Sequence, residues 1–319
     1  MYPYAMLLAL ILLLPAAMTV AAQTPTAPVP AKTIRLLCVG NSFSANTTHY
    51  LRQIMDAGGY RLVLYNASIG GCPLAQHWKH IVAHEANPDD PTGKPFHYPN
   101  ITEKIGLKEA LAMEPWDFIT IQQASIDSHD ISTYRPYARN LYDYLKKQVP
   151  NAEILMHQTW AYRIDDPRFS DGKMTADSMY TQLTAAYHTI AGELHIRTIP
   201  VGDAFQLTAH HPGWGYVPDQ SFVPAKAVSP TLPDQSHSLH VGYYWTKDKA
   251  GAATLGMDGH HANRTGEYLG GCVFYEVLTG QSIIGNPFQP EWLSTQDTRL
   301  LQTIAHQAVE GLKTPAVVK

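Results

Sequence analysis

Five short apolar runs punctuate the chain at residues 34–39, 61–66, 117–121, 153–157 and 197–201, and each has the length of a strand. Between them lie longer stretches whose apolar residues recur at helical spacing, notably 47–57, 133–149 and 175–194. Continuously apolar strands alternating with helices predict a mostly parallel sheet covered on both faces. The expected architecture is therefore α/β, a single three-layer α/β/α domain. In such sheets ligands bind outside the carboxyl ends of the strands. Ser42, Gly70, Gln123 and Trp160 each follow a predicted strand and should converge there.

Two segments break the alternation. Residues 202–250 are rich in Pro, Gly, His and aromatics, with little helical periodicity, and read as a long loop insertion. Its aromatic content suits an ordered lid or substrate wall, or packing over the sheet edge. Residues 77–100 have a similar character. No internal repeat is evident.

The N-terminus changes the expected compartment. Residues 5–20 are almost continuously apolar and end in Val20-Ala21-Ala22, small residues of the kind a signal peptidase reads, so 1–22 are expected to be a signal peptide cleaved before Gln23. An uncleaved anchor is the alternative, although the run is short for a membrane span. Residues 23–32, rich in Pro, Thr and Ala, read as a linker, leaving 33–319 as the folded domain. The expected location is secreted or periplasmic, with no stable membrane insertion after cleavage. A formal net charge of −4 without long basic runs argues against a nucleic-acid partner. The three cysteines, Cys38, Cys72 and Cys272, are too few for a disulfide scaffold. Cys38 and Cys272 fit buried hydrophobic positions, while Cys72 is the best candidate for any single disulfide. Nothing in the chain indicates its oligomeric state.

The candidate chemistry lies in two blocks. The first strand breaks into Gly40-Asn41-Ser42-Phe43-Ser44, a tight turn carrying a serine. Far downstream, Asp258-Gly259-His260-His261 supplies an acid and a base three residues apart. A serine hydroxyl needs such a base to become a nucleophile, and the base needs an acid to orient it. Ser42 could instead merely cap the following helix. The companion block favours catalysis, and Ser44 is the better capping candidate. The histidines at 210, 211, 237, 240, 260 and 261 follow no metal-binding pattern, and no metal or cofactor is expected.

These blocks resemble those of the SGNH/GDSL hydrolase superfamily, with Asn41 where the commoner G-D-S motif has aspartate. The order G-N-S-F-S, G-G-C, L-Q-Q-x-S, Q-T-W-A-Y and D-G-x-H is similar to that of a divergent secreted bacterial branch. The resemblance implies an SGNH, flavodoxin-like fold with Ser42, Asp258 and His261 as a triad, and it prefers His261 over His260, which is then a supporting or surface residue. It further implies an oxyanion hole built from the Ser42 amide, a glycine amide, with Gly70 favoured, and a side-chain donor. Block III here reads Ile121-Gln122-Gln123-Ala124-Ser125, so a glutamine replaces the usual asparagine. Gln123 is the favoured donor and Gln122 the alternative, which otherwise falls among the substrate-binding candidates Trp160, Tyr162, Gln122 and Trp78. The implied activity is a serine esterase acting on a small-molecule or polysaccharide ester, with carbohydrate O-acetyl groups the expected substrate. An inactive glycan-binding protein on the same fold is the competing reading.

Overall fold

The computed structural model describes residues 32–99 and 101–313. The expected signal peptide and nearly all of the expected linker lie outside the described residues. In chain order the elements are β1 (Lys32–Gly40), α1 (Ser42–Thr48), α2 (Leu51–Ala57), β2 (Tyr60–Ser68), α3 (Leu74–Ala86), α4 (Leu107–Ala112), β3 (Phe118–Ile121), α5 (Tyr137–Gln148) and β4 (Glu153–His157). They continue with α6 (Ala176–Leu194), β5 (Thr198–Ile199), α7 (Val201–Ala209), β6 (His240–Lys247), β7 (Ala253–Ala262), α8 (Arg264–Thr279) and α9 (Thr295–Lys313).

Strands β1 to β5 form one parallel sheet in the order β2-β1-β3-β4-β5. The chain steps from β1 to one side, then returns across it to β3 and proceeds outward. Because parallel crossovers are right-handed, this reversal sends α1 and α2 to one face and α3, α5 and α6 to the other. The packing agrees: α1, α2 and α9 contact α8, while α5 contacts both α3 and α6. The α/β expectation therefore holds. Leu36, Leu37, Cys38 and Val39 are wholly buried, as both faces of a covered central strand require. Each such aliphatic side chain contributes roughly 1.5–3 kcal/mol.

Several boundaries differ from the sequence reading. The helix expected at 47–57 is two helices, and the first begins at Ser42. Asn41 is its cap, with Oδ1 accepting from the Phe43 amide at 3.1 Å. The Thr47 and Thr48 hydroxyls bond back to carbonyls of the preceding turn, a pattern that weakens helices, and α1 ends there. The helix expected from 133 starts at Tyr137, because Pro136 holds the residue before it extended. Pro200 likewise ends β5 at Ile199 and hands Val201 to α7.

The 202–250 segment is not a continuous loop. It contains most of α7, a 3-10 turn at Pro224–Lys226, and β6, which pairs antiparallel with β7. Residues 77–100 likewise begin inside α3. Cys38, Cys72 and Cys272 are all free and buried, so the disulfide suggested for Cys72 is absent, and burial pushes the Cys38 and Cys72 thiols up to about 12. Among the described residues no helix is long and apolar enough to cross a membrane.

Candidate active site

Ser42 sits two residues beyond the end of β1, beside the place where the sheet order reverses. Gly40 makes the turn possible by close approach, since a Cβ there would lie 2.5 Å from Ser44 Oγ and 2.7 Å from Gln122 Oε1. Asn41 then anchors the turn. Its Oδ1 accepts from Gln122 Nε2 at 2.8 Å as well as from the Phe43 amide, and its Nδ2 donates to the Cys72 carbonyl at 3.2 Å. An aspartate could not make that last bond, which accounts physically for the asparagine.

The β6–β7 hairpin delivers the second block. Asp258 pairs with Gly242 across it, and β7 ends at Ala262, where Asn263 caps α8. Asn46 of α1 fastens this end to the serine helix: Oδ1 accepts from the Ala262 amide at 3.3 Å and Nδ2 donates to Glu267 Oε1 at 3.0 Å. Ser42 Oγ consequently lies 2.8 Å from His261 Nε2, and His261 Nδ1 lies 2.8 Å from Asp258 Oδ2. Burial alone would raise the Asp258 carboxyl. Hydrogen bonds from the His260 and His261 side chains and from the His261 amide outweigh it and hold the group well below the usual carboxylate range.

His260 is nearer the chemistry than its sequence reading suggested. Its Nδ1 is 2.8 Å from Asp258 Oδ1 and 2.8 Å from Arg168 Nη2. One ring nitrogen can donate to the first or accept from the second, so the tautomer decides which bond forms. Asp258, His260 and His261 could also gather around a metal ion, as could Glu276, His306 and Glu310. In the first group, however, both Nδ1 atoms already face the carboxylate.

The serine opens into a pocket of about 400 Å³, lined by Gly70, Gly71, Ser125, Tyr162, Arg168 and His260 among others. Ser42, Gly70 and Gly71 all line it, and their amides make no hydrogen bond among the described residues.

The glutamines are elsewhere, which corrects the sequence reading. Gln123 is fully buried: its Oε1 accepts from the Leu74 and Ala124 amides at 3.0 and 2.9 Å, and its Nε2 donates to the Thr133 carbonyl and hydroxyl. It braces the post-β3 turn and cannot serve an oxyanion. Gln122 is equally buried and joins Asn41, Ser44 and His157, so it touches no substrate. Ser44 thus belongs to this network instead of capping the helix. Trp160 is also fully buried, stacked on Phe205 with its indole N–H on the His260 carbonyl at 2.9 Å. Trp78 packs against the core away from the pocket, while neighbouring His77 is bonded to the Gly40 carbonyl. Tyr162 does reach the pocket, but its ring lies under the Arg168 guanidinium at 4.0 Å and its hydroxyl meets Ser125 Oγ at 3.1 Å. That ring face is not free to stack on a sugar.

Arg168, Ser125 and Asn46 escaped the sequence reading. Only Arg168 had a local signal, the Asp166-Pro167-Arg168 turn in which an acid two residues back can grip the guanidinium.

Residues 35–210 match the family described as domain of unknown function (DUF4886). The chain belongs to this family. It is similar to a solved DUF4886 family protein from Bacteroides uniformis ATCC 8492 at 24% identity, with a TM-score of 0.67 over 90% of this chain and 98% of the other. That likeness supports the fold. Weaker likenesses are to a proposed SGNH hydrolase from Slackia heliotrinireducens (20% identity, TM-score 0.45, 77% and 98% of the two chains) and a proposed GDSL-like lipase from Parabacteroides merdae ATCC 43184 (14%, 0.46, 78% and 97%). No curated protein matches the chain.

Proposed function

We propose that this DUF4886 protein is a secreted or periplasmic serine esterase of SGNH type, with O-acetylated carbohydrate as its expected substrate. The observation that carries the reading is the unbroken chain from Ser42 Oγ through His261 to Asp258, with both links at 2.8 Å. In this reading Ser42 Oγ attacks the ester carbonyl and its proton passes to His261 Nε2. Asp258 holds the ring and stabilises the imidazolium. His261 then protonates the leaving alcohol as the tetrahedral intermediate collapses to acyl-Ser42. Water, deprotonated by the same nitrogen, releases the acid.

Negative charge on the carbonyl oxygen falls to the Ser42 and Gly70 amides, with Gly71 beside them. A glutamine donor is unnecessary in this arrangement. One such N–H is worth roughly 3–4 kcal/mol in the transition state. The test is hydrolysis of p-nitrophenyl acetate by the wild type beside Ser42→Ala. Turnover that vanishes in the variant supports the esterase. Absence of turnover in both favours the inactive glycan-binding reading.

A further inference from the structure

The pocket beside Ser42 contains one strong donor that the proposed reaction does not use. Arg168 Nε and Nη2 grip the Asp166 carboxylate at 2.8 and 2.9 Å, and the guanidinium lies over the Tyr162 ring at 4.0 Å. Asp166 itself is buried, and the pairing fixes a planar, rigid fork. The remaining nitrogen, Nη1, has no hydrogen-bond partner among the described residues, although Arg168 lines the same pocket as Ser42 and His261. A guanidinium so fixed gives up little conformational entropy when it binds an acceptor.

The charges around it decide what kind of acceptor it suits. One guanidinium faces two carboxylates, those of Asp166 and Asp258, with the His260 ring between Arg168 and Asp258. Asp127 is close enough to act on the Tyr162 hydroxyl and adds further negative charge. An anionic substrate would meet net repulsion, whereas a hydroxyl or ring oxygen would meet an unpartnered N–H.

Resting on the esterase reading, we propose that Arg168 is a specificity-determining residue whose Nη1 donates to a neutral oxygen of a polyhydroxylated ester, such as an acetylated neutral sugar. The bond is made in ground and transition states alike, so it acts mainly through KM.

The test compares wild type, Arg168→Gln and Arg168→Lys on p-nitrophenyl acetate, an acetylated methyl xyloside and an acetylated methyl glucuronoside. Arg168→Gln should lower kcat/KM for the xyloside at least tenfold more than for p-nitrophenyl acetate, through KM. Arg168→Lys should not restore the ratio, because an ammonium engaged by Asp166 has no second nitrogen to offer. Equal losses on the xyloside and the simple acetate would make Arg168 a structural residue and overturn the inference, as would full rescue by lysine. A larger loss on the glucuronoside than on the xyloside would replace the neutral oxygen with a carboxylate. Wild type inactive on all three would overturn the esterase reading and this one together; activity on p-nitrophenyl acetate with the wrong ratios removes only the inference.

Discussion

Gln122 Nε2 donates to Asn41 Oδ1 at 2.8 Å, so a residue just past β3 sets the conformation of the residue just before the serine. Gln122 Oε1 in turn accepts from Ser44 Oγ and from His157 Nδ1, the latter at 3.0 Å. Gln122 is thus the centre of a dry polar network under the Ser42 turn, every bond of which is made beyond the reach of water.

Replacing either glutamine should therefore read out first as lost stability. A buried polar group left unpaired costs about 1–3 kcal/mol, and Gln123→Ala would strand the Leu74 amide and the Thr133 carbonyl. Urea denaturation should show a loss of that size in unfolding free energy. Unchanged stability combined with a kcat reduced 100-fold would return Gln123 to the oxyanion hole, against its observed bonding.

Ser42→Ala should behave in the opposite way. Among the described residues the hydroxyl bonds only to His261, so its removal should leave the fold and thermal midpoint close to wild type while esterase turnover falls by on the order of 10⁶. Circular dichroism with a p-nitrophenyl acetate assay measures both. A fluorophosphonate adduct found by mass spectrometry on Ser44 or Ser125 instead of Ser42 would contradict the assignment.

Those two outcomes mirror what the chain made legible. The strands of the sheet could be read because residues such as Leu36 to Val39 are apolar on both faces, and only a covered parallel sheet asks for that. The meeting of Ser42, Asp258 and His261 could be read because two short blocks carry a serine after a strand and, far downstream, an acid and a base three residues apart. The oxyanion donor could not. Consecutive strand-end residues point in opposite directions, so the local pattern alone allows either glutamine to face the serine. In fact one amide is satisfied by the loops at Leu74 and Thr133 and the other by Asn41 and His157, long-range partners that no local pattern announces. Trp160 was misplaced for the same reason, since a post-strand aromatic can face the pocket or lie beneath it. The β6–β7 hairpin was hidden by its Gly and aromatic content and the irregular register between His240 and Gly242.

Gly259 offers a test of how tightly the second block is held. A Cβ at this position would run into the Asp166 carboxylate, whose oxygens hold Arg168. Gly259→Ala should push Asp166 away and shift the neighbouring Asp258 and His260, costing about 1–3 kcal/mol as an overpacked site does. Turnover should fall together with stability, read by thermal unfolding beside the esterase assay. A variant as stable and active as wild type would mean that this contact relaxes freely.

The last prediction concerns pH and the buried imidazoles beneath the site. Burial lowers His157 to about 3, and burial, partly offset by the hydrogen bond to the Gly40 carbonyl, lowers His77 to about 4, against an ordinary value of 6.5. Both rings are neutral in the folded protein at pH 7. As pH falls through 6.5 the unfolded chain takes up a proton at each histidine that the folded chain does not, so stability must decline. The contribution is complete above about pH 6.5 and lost progressively toward pH 4 for His77 and pH 3 for His157. At pH 5 each group should have removed about 2 kcal/mol relative to pH 7.5. Urea unfolding at the two pH values measures the total, to which His240, lowered by burial to about 4, also contributes, and His157→Gln should reduce the difference by one such increment. That glutamine keeps a donor for Gln122 while removing the proton site, so it separates titration from lost packing. An unfolding free energy equal at pH 7.5 and pH 5 would mean that these rings are not held neutral by burial.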